Sequence, residues 1–498
     1  MNLIKSISLD EKKSIYILIF ILIFHLLFLN LYPVNDEFIF PVGAKLIENF
    51  DVDEISLFFN YNANTLGFSL LIFFFSKFLP FDYYIIGKLL SCSGILLIYL
   101  AIFNLLKILK LNKIKDKHIL ILLIFFNPLI FIFSFRATPD FFASALSFFS
   151  IVYFLINKEL IFKFFFIILF SVAVIVKPFN AILIILIFID FNFKSFFCKK
   201  NWNIFLWFLL SLLIPLFYFF YNYYLFNFFL IPDHFKLNRS FNIKDYSVRF
   251  LSYIGFLNIF LILLYIDIFF NSFIKNPFKI FFYIIISILC SYFFKQNLGE
   301  LNFGYLQVYL NPKIYFFTIT LSFFIFSDFV LTLIKNNKLN KNLLILIALI
   351  IFFLIVLSNF QPTQRYLLSI ITLSLFIFFI INKTRNLIFF TIIIYSVMNI
   401  PLFVNHYYTS KNIEKIIVFL NKNNILDDTH PGYIGQHSLN YFIDFEKDIS
   451  KSMSKELLFG EKKYYVSDEI PAQQETIIFS TKSNNIFKKN KNLYLIKK

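Results

Sequence analysis

Long apolar runs, broken by short polar or charged stretches, succeed one another along most of this chain. A helix needs about 20 apolar residues to cross hydrocarbon, where no water can pair with an open backbone. The pattern predicts spans at 14–32, 84–106, 118–134, 139–157, 163–176, 178–190, 203–224, 250–270, 279–294, 312–334, 342–359, 366–381 and 387–404. The two at 163–176 and 178–190 are short and meet at Lys177-Pro178, so they also fit one interrupted hairpin. The run at 65–80 is apolar but short and holds Lys77, which fits a helix lying in the membrane interface. Beyond 404 the pattern changes in kind. Lys411 to Asn424 keeps a helical period, whereas Tyr464-Tyr-Val-Ser, Thr476-Ile-Ile-Phe and Asn492-Leu-Tyr-Leu-Ile read as short strands. The expectation is an all-α polytopic membrane protein of about thirteen transmembrane helices over residues 1–404, with a small α/β extracytoplasmic domain over 405–498.

Composition agrees with a membrane class. The chain is 59% hydrophobic and 15% charged, against about 25% charged in a soluble domain. The net charge of +17 comes with heavy use of Phe, Ile, Asn and Lys, residues with AT-rich codons. No basic motif interleaved with aromatics accompanies it, so nucleic acid is not an expected partner. The lysines have a better use in setting orientation. With the N-terminus in the cytoplasm, the clusters Lys107–Lys117, Lys194–Lys200 and Lys335–Lys341 all fall on inner loops. The first apolar run follows Lys5, Lys12 and Lys13 without a small-residue cleavage site, and reads as a retained anchor. A plasma (inner) membrane protein with its C-terminus outside is the result. Cys92, Cys198 and Cys290 are too scattered for a disulfide framework or zinc spacing.

This orientation gathers charge on one face. Asp36 and Glu37 follow the first span and open a long outer loop, 33–83. Adjacent carboxylates are costly to hold beside hydrocarbon and mark a candidate site, where a base activates an acceptor towards a lipid-borne substrate. The same face holds Arg136 and Asp140 in Ser134-Phe-Arg-Ala-Thr-Pro-Asp140, Lys177 at an outer hairpin tip, Arg239, Glu300, and Arg365 just before a span. Carboxylates with cations at one membrane face suit a reaction whose leaving group is a lipid-anchored phosphate. Arginine, used at five positions in so Lys-rich a chain, suits planar bidentate phosphate binding. His25 and His118 read as structural, and His430 and His437 as part of a loop in the tail.

Read in order, Asn35-Asp36-Glu37-Phe-Ile-Phe, Lys88-Leu-Leu-Ser, Asn127-Pro128, Arg136-Ala-Thr-Pro-Asp140, Lys177-Pro178 and Gln364-Arg-Tyr-Leu-Leu368 form a recognisable series. It resembles the glycosyltransferase C (GT-C) superfamily, in its protein O-mannosyltransferase and aminoarabinose lipid A transferase branch, over roughly residues 14–380. The resemblance implies a membrane glycosyltransferase of the cell envelope, moving a sugar from a polyprenyl-phosphate donor to an extracytoplasmic lipid, glycan or protein. It implies Asp36 as catalytic base with Glu37 beside it, Asp140 lining the site, and Lys177 and Arg365 facing the donor phosphate. The family's Lys-Pro-Pro-like element has no counterpart in Tyr61-Asn-Ala-Asn-Thr-Leu-Gly-Phe68, so Arg136 or Lys295 is expected to supply that phosphate contact. Such a displacement runs without a metal or cofactor, and none is expected. The rival readings are a polysaccharide polymerase or ligase acting on undecaprenyl-linked glycans, and a transporter or flippase for a lipid-linked sugar. The first would not require the acid pair, and the second would set ionisable residues deep within spans.

Overall fold

The computed structural model describes residues 9–49, 52, 55–56, 58–59, 66–111, 116–156, 159–190, 199–226, 243–266, 274–294, 312–335, 341–358, 364–381, 385–426, 428–430, 463–467, 476–481 and 492–497. Arg239, Lys295, Glu300 and His437, all named above, lie outside the described residues.

Helices dominate. They are α1 (Leu9–Leu27), α2 (Ile39–Asn49), α3 (Gly67–Ser76), α4 (Tyr83–Ile108), α5 (Lys117–Phe125), α6 (Pro128–Ser134), α7 (Pro139–Ile156) and α8 (Leu160–Val176). A stretch of 3-10 helix follows at Pro178–Asp190, and then come α9 (Lys199–Phe226), α10 (Ile243–Leu261), α11 (Pro277–Phe294) and α12 (Pro312–Lys335). The last helices are α13 (Lys341–Leu357), α14 (Leu368–Ile381) and α15 (Arg385–Lys422). Among the described residues four helices are long and apolar enough to cross a membrane: α4, α7, Trp202–Leu225 within α9, and α15. A fifth joins them if α5 and α6 count as one bent span. Phe217, Tyr224 and Phe278 are exposed on helix faces, as lipid-facing residues would be.

The run 118–134, read above as one span, is broken. Its two halves bend by 70° at Asn127-Pro128. The cause is local: the Asn127 side chain accepts from Leu129 N and Ile130 N at 3.1 and 3.4 Å, and Pro128 stands at the first helical position. That is a helix start, with a cap and a residue that has no N–H to lose. By contrast α3 keeps to ten residues, about 15 Å of rise against roughly 30 Å of hydrocarbon, and packs on α2.

Close helix packing is set by small residues. A Cβ on Gly94 of α4 would meet Phe141 at 2.9 Å and Ala145 at 3.3 Å on α7. On Gly67 it would sit 2.5 Å from the Ile175 carbonyl oxygen, a backbone atom that cannot swing away. Gly67→Ala is therefore expected to push α3 off α8 and lower stability by about 1–3 kcal/mol, read as a lower melting temperature in detergent. Between helices, Ser and Asn side chains act as polar ties: Ser144 Oγ donates to Leu368 O at 3.0 Å, and Asn258 Nδ2 to Ser322 O at 2.7 Å.

Two apolar clusters result. The larger runs through α1, α4–α10 and α12–α14 into the first half of α15. The smaller sits at one end of the bundle, where α2 and α3 cover the first turns of α4 and α7 and the last turn of α8. The second half of α15 (Ile413, Ile416, Ile417, Leu420) belongs to this smaller cluster. Thus α15 runs unbroken through the 404/405 limit suggested by the sequence. Beyond it lies a four-stranded sheet of order β1-β2-β4-β3, made of β1 (Thr429–His430), β2 (Tyr464–Ser467), β3 (Thr476–Thr481) and β4 (Leu493–Lys497). Phe479 of β3 stacks on Phe419 of α15 with ring centroids 4.4 Å apart. His430, read above as a loop residue, lies in β1.

The opposite end of the bundle is tied by charges. Asp10 accepts from Lys117 N at 3.0 Å and faces His118 Nδ1 at 2.5 Å, while Arg385 Nε lies 3.3 Å from Asp116. His25 is structural too, its Nε2 meeting Ser134 Oγ at 2.7 Å and its ring stacked on Phe135.

Candidate functional site

At the end capped by α2 and α3, chain turns deliver charged side chains into a buried layer. The 3-10 turn Asn35–Phe38 leads into α2 and carries Asp36 and Glu37. The side chain of Asp36 lies outside what the structure describes. Glu37 is fully buried, at 0% exposure. Its Oε1 accepts from Arg136 Nε at 2.6 Å, and Arg136 Nη2 donates to Val34 O at 3.3 Å. Two further groups converge. His406 Nδ1 of α15 lies 3.9 Å from the same Oε1, and buried Lys88 of α4 donates to Leu31 O, within electrostatic reach of Glu37.

The turn that carries Arg136 is itself fixed. Ser91 Oγ donates to Thr138 O at 3.1 Å, and Gly87 leaves room for Ala137 against α4. Pro139 then opens α7, with Asp140 in its first turn, where the helix dipole favours a carboxylate.

Asp140, 3% exposed, anchors the second half of the layer. Lys177 ends α8 because Pro178 cannot continue the helix, and its Nζ lies 3.0 Å from Asp140 Oδ1. The distance makes an ion pair, but the approach is not aligned as a hydrogen bond. Arg365 also acts on Asp140 electrostatically, as does Arg136, which joins the two halves. Lys177 and Arg365 share the Tyr366 ring, at 5.5 and 5.7 Å from its centroid, and Phe179 packs edge-on against that ring. Behind them, Asn180 Oδ1 accepts from Ser369 Oγ at 2.5 Å, knitting the 3-10 stretch to α14.

Thus buried Glu37, Arg136 and Asp140 and half-buried Lys177 and Arg365, separated by up to 328 positions in the chain, occupy one layer, with Asp36 in the adjoining turn. Among the described residues, four basic side chains (Lys88, Arg136, Lys177, Arg365) stand around two carboxylates (Glu37, Asp140). Among the described residues, Glu37 Oε2 receives no hydrogen bond, while Asp140 Oδ1 faces Lys177. Chemically, the layer can hold an anion against its cations and offer carboxylate oxygens to a donor. Among the described residues no group of three or more His, Cys, Asp or Glu forms a metal-binding set.

Sequence reasoning missed His406. It stands within a long apolar helix, in no motif, and only the packing of α15 on the 35–38 turn brings it to Glu37. Pro401, five positions earlier in the same helix, was a visible sign of local irregularity.

Burial raises the Glu37 pKa, but Arg136, then His406 and Lys88, outweigh it, so the carboxyl ends below its ordinary value. A depressed acid stabilises the fold above its unfolded pKa of about 4.3, and that contribution is lost as pH falls through the lower folded value. Melting followed from pH 7 to pH 3 is expected to fall steeply below about pH 4.3. Glu37→Gln should melt lower at neutral pH and show a flatter acid limb.

No protein-family model, curated protein or solved structure matches the chain.

Proposed function

We propose that the chain is a multi-pass plasma-membrane glycosyltransferase that moves a sugar from a polyprenyl-phosphate donor to an extracytoplasmic acceptor. In this reading it has thirteen spans, a cytoplasmic N-terminus and a small outer domain after residue 404. The observation that carries the reading is the gathering of Arg136, Lys177 and Arg365 around Glu37 and Asp140 beside the Asp36–Glu37 turn. A phosphate bearing a lipid chain is an anion that reaches such a layer from the bilayer, and the order of motifs in the sequence points to the same chemistry. Asp36 takes the proton of the acceptor as its oxygen or nitrogen bonds to the anomeric carbon. The bond from that carbon to the phosphate breaks, and its electron pair leaves on the phosphate. Lys177 and Arg365 oppose the growing negative charge, and Arg136 adds to the field while holding Glu37.

The test is transfer of radiolabelled sugar from a panel of polyprenyl-phosphate sugars in membranes expressing wild type and Asp36→Asn. Transfer by wild type that disappears in the variant is the expected result. Equal transfer by both would remove Asp36 from the chemistry, and no transfer from any donor would sink the reading.

A further inference from the structure

Beside the charged layer lies a separate cleft. An open cleft of about 590 Å³ runs between α2, the end of α3 and the start of α4. This is within the roughly 300–1,000 Å³ of small-molecule sites. One wall is the stacked ring pair Tyr32–Tyr84, with centroids 5.8 Å apart. The cleft is also lined by Glu48, which accepts from Lys77 Nζ at 2.8 Å and from Tyr83 OH, and by Asp82, close to both rings. Asp82 is the N-cap of α4, yet its side chain does not cap the helix. It is exposed, and among the described residues its carboxylate makes no ion pair.

The charges in this cleft balance: Lys45 and Lys77 against Glu48 and Asp82. That argues against an anionic ligand, in contrast to the layer where Arg136, Lys177 and Arg365 gather. Tyrosine rings and carboxylates lining one cleft suit a neutral polyol. The C–H face of a pyranose packs on the rings, and its hydroxyls donate to carboxylate oxygens. The rim is apolar. Phe74, Phe78 and Phe81 are exposed, Phe78 at 70%, and Phe81 also lines the cleft. Exposed aromatics around a polar pocket fit a headgroup site at the bilayer surface. The cleft also shares a wall with the charged layer. Lys88 Nζ lies 5.8 Å from the Tyr84 ring and bonds the carbonyl of Leu31, the neighbour of Tyr32.

We infer that this cleft binds the carbohydrate headgroup of a membrane-anchored glycolipid, and that this glycolipid is the acceptor class of the transfer. The word acceptor rests on the function proposed above; the carbohydrate site itself does not. The test therefore measures binding with no sugar donor present. Full-length protein in phosphatidylcholine nanodiscs is titrated with tritiated diglucosyl-diacylglycerol, with diacylglycerol, phosphatidylglycerol and the free disaccharide as competitors. Saturable binding is expected that diacylglycerol and phosphatidylglycerol do not displace and that the free disaccharide displaces only weakly. Tyr32→Ala and Asp82→Asn, both at accessible positions and judged on protein that melts with wild type, are each expected to weaken binding about tenfold. A free disaccharide binding as tightly as the lipid would overturn the membrane anchor and leave a soluble glycan as ligand. Absent or unsaturable binding, displacement by phosphatidylglycerol, or affinity unchanged in both variants would overturn the site. Failure of the transfer assay leaves this result intact, so the two ideas fail separately.

Discussion

Arg136→Met is expected to lower stability by about 3–5 kcal/mol, the usual consequence of removing one partner from a buried ion pair. The reason lies with Glu37. Its carboxylate is fully buried, and Arg136 provides the aligned hydrogen bond, 2.6 Å from Nε to Oε1. Without the guanidinium, that charge keeps Lys88 and His406 nearby but loses its directed donor, and Val34 O loses Nη2. Lys in place of Arg should recover part of the loss, since it restores charge without the planar fork. The decisive comparison is Glu37→Gln with Arg136→Met in one chain. If the pair interacts as described, the double variant melts well above the sum of the two single losses, because neither charge is then stranded. Additive losses would show that the contact contributes little.

Asp36→Asn is expected to cut transfer by about 10² to 10⁴-fold, the range for loss of a general base. The neighbouring acid makes the comparison sharp. Glu37 is committed to Arg136, and its depressed pKa makes it a poor proton acceptor. In the proposed reaction the base role in the turn therefore falls to Asp36, with Glu37 a positioning residue that holds the turn against α7. Glu37→Gln should reduce melting temperature and transfer together. Asp36→Asn should reduce kcat in protein that melts with wild type. If Glu37→Gln were the variant that lost transfer at unchanged melting, the assignments would have to be exchanged.

The helices were largely legible, because a run of apolar residues leaves the backbone few options besides pairing with itself. The apolar runs at 84–106 and 139–157 lie within a residue or two of α4 and α7. The strands at 464, 476 and 493 followed from alternation of β-branched and aromatic residues. The break at Asn127-Pro128 was also written in the chain, since Asn followed by Pro is a helix start, but apolar residues on both sides masked it. The charged layer was legible as a list of residues on one face, but not as pairs. Nothing in the local pattern says that Glu37 takes Arg136 while Asp140 takes Lys177. Those choices depend on how α4 lies against α7 and how α3 lies against α8, which close contacts at Gly87, Gly94 and Gly67 set. His406 was invisible for the same reason, as was the cleft between α2 and α4, whose walls come from three separate stretches.

The unbroken course of α15 bears on how the molecule comes apart. Its first half is packed into the large apolar cluster through Ile388, Ile392 and Tyr395, and its second half into the small one through Ile413, Ile416, Ile417 and Leu420. His406, beside Glu37, stands between them. A single rod shared in this way leaves neither cluster free to melt alone: opening one withdraws half of α15 from the other. Thermal unfolding should accordingly be one cooperative transition, with the sheet and the bundle lost together.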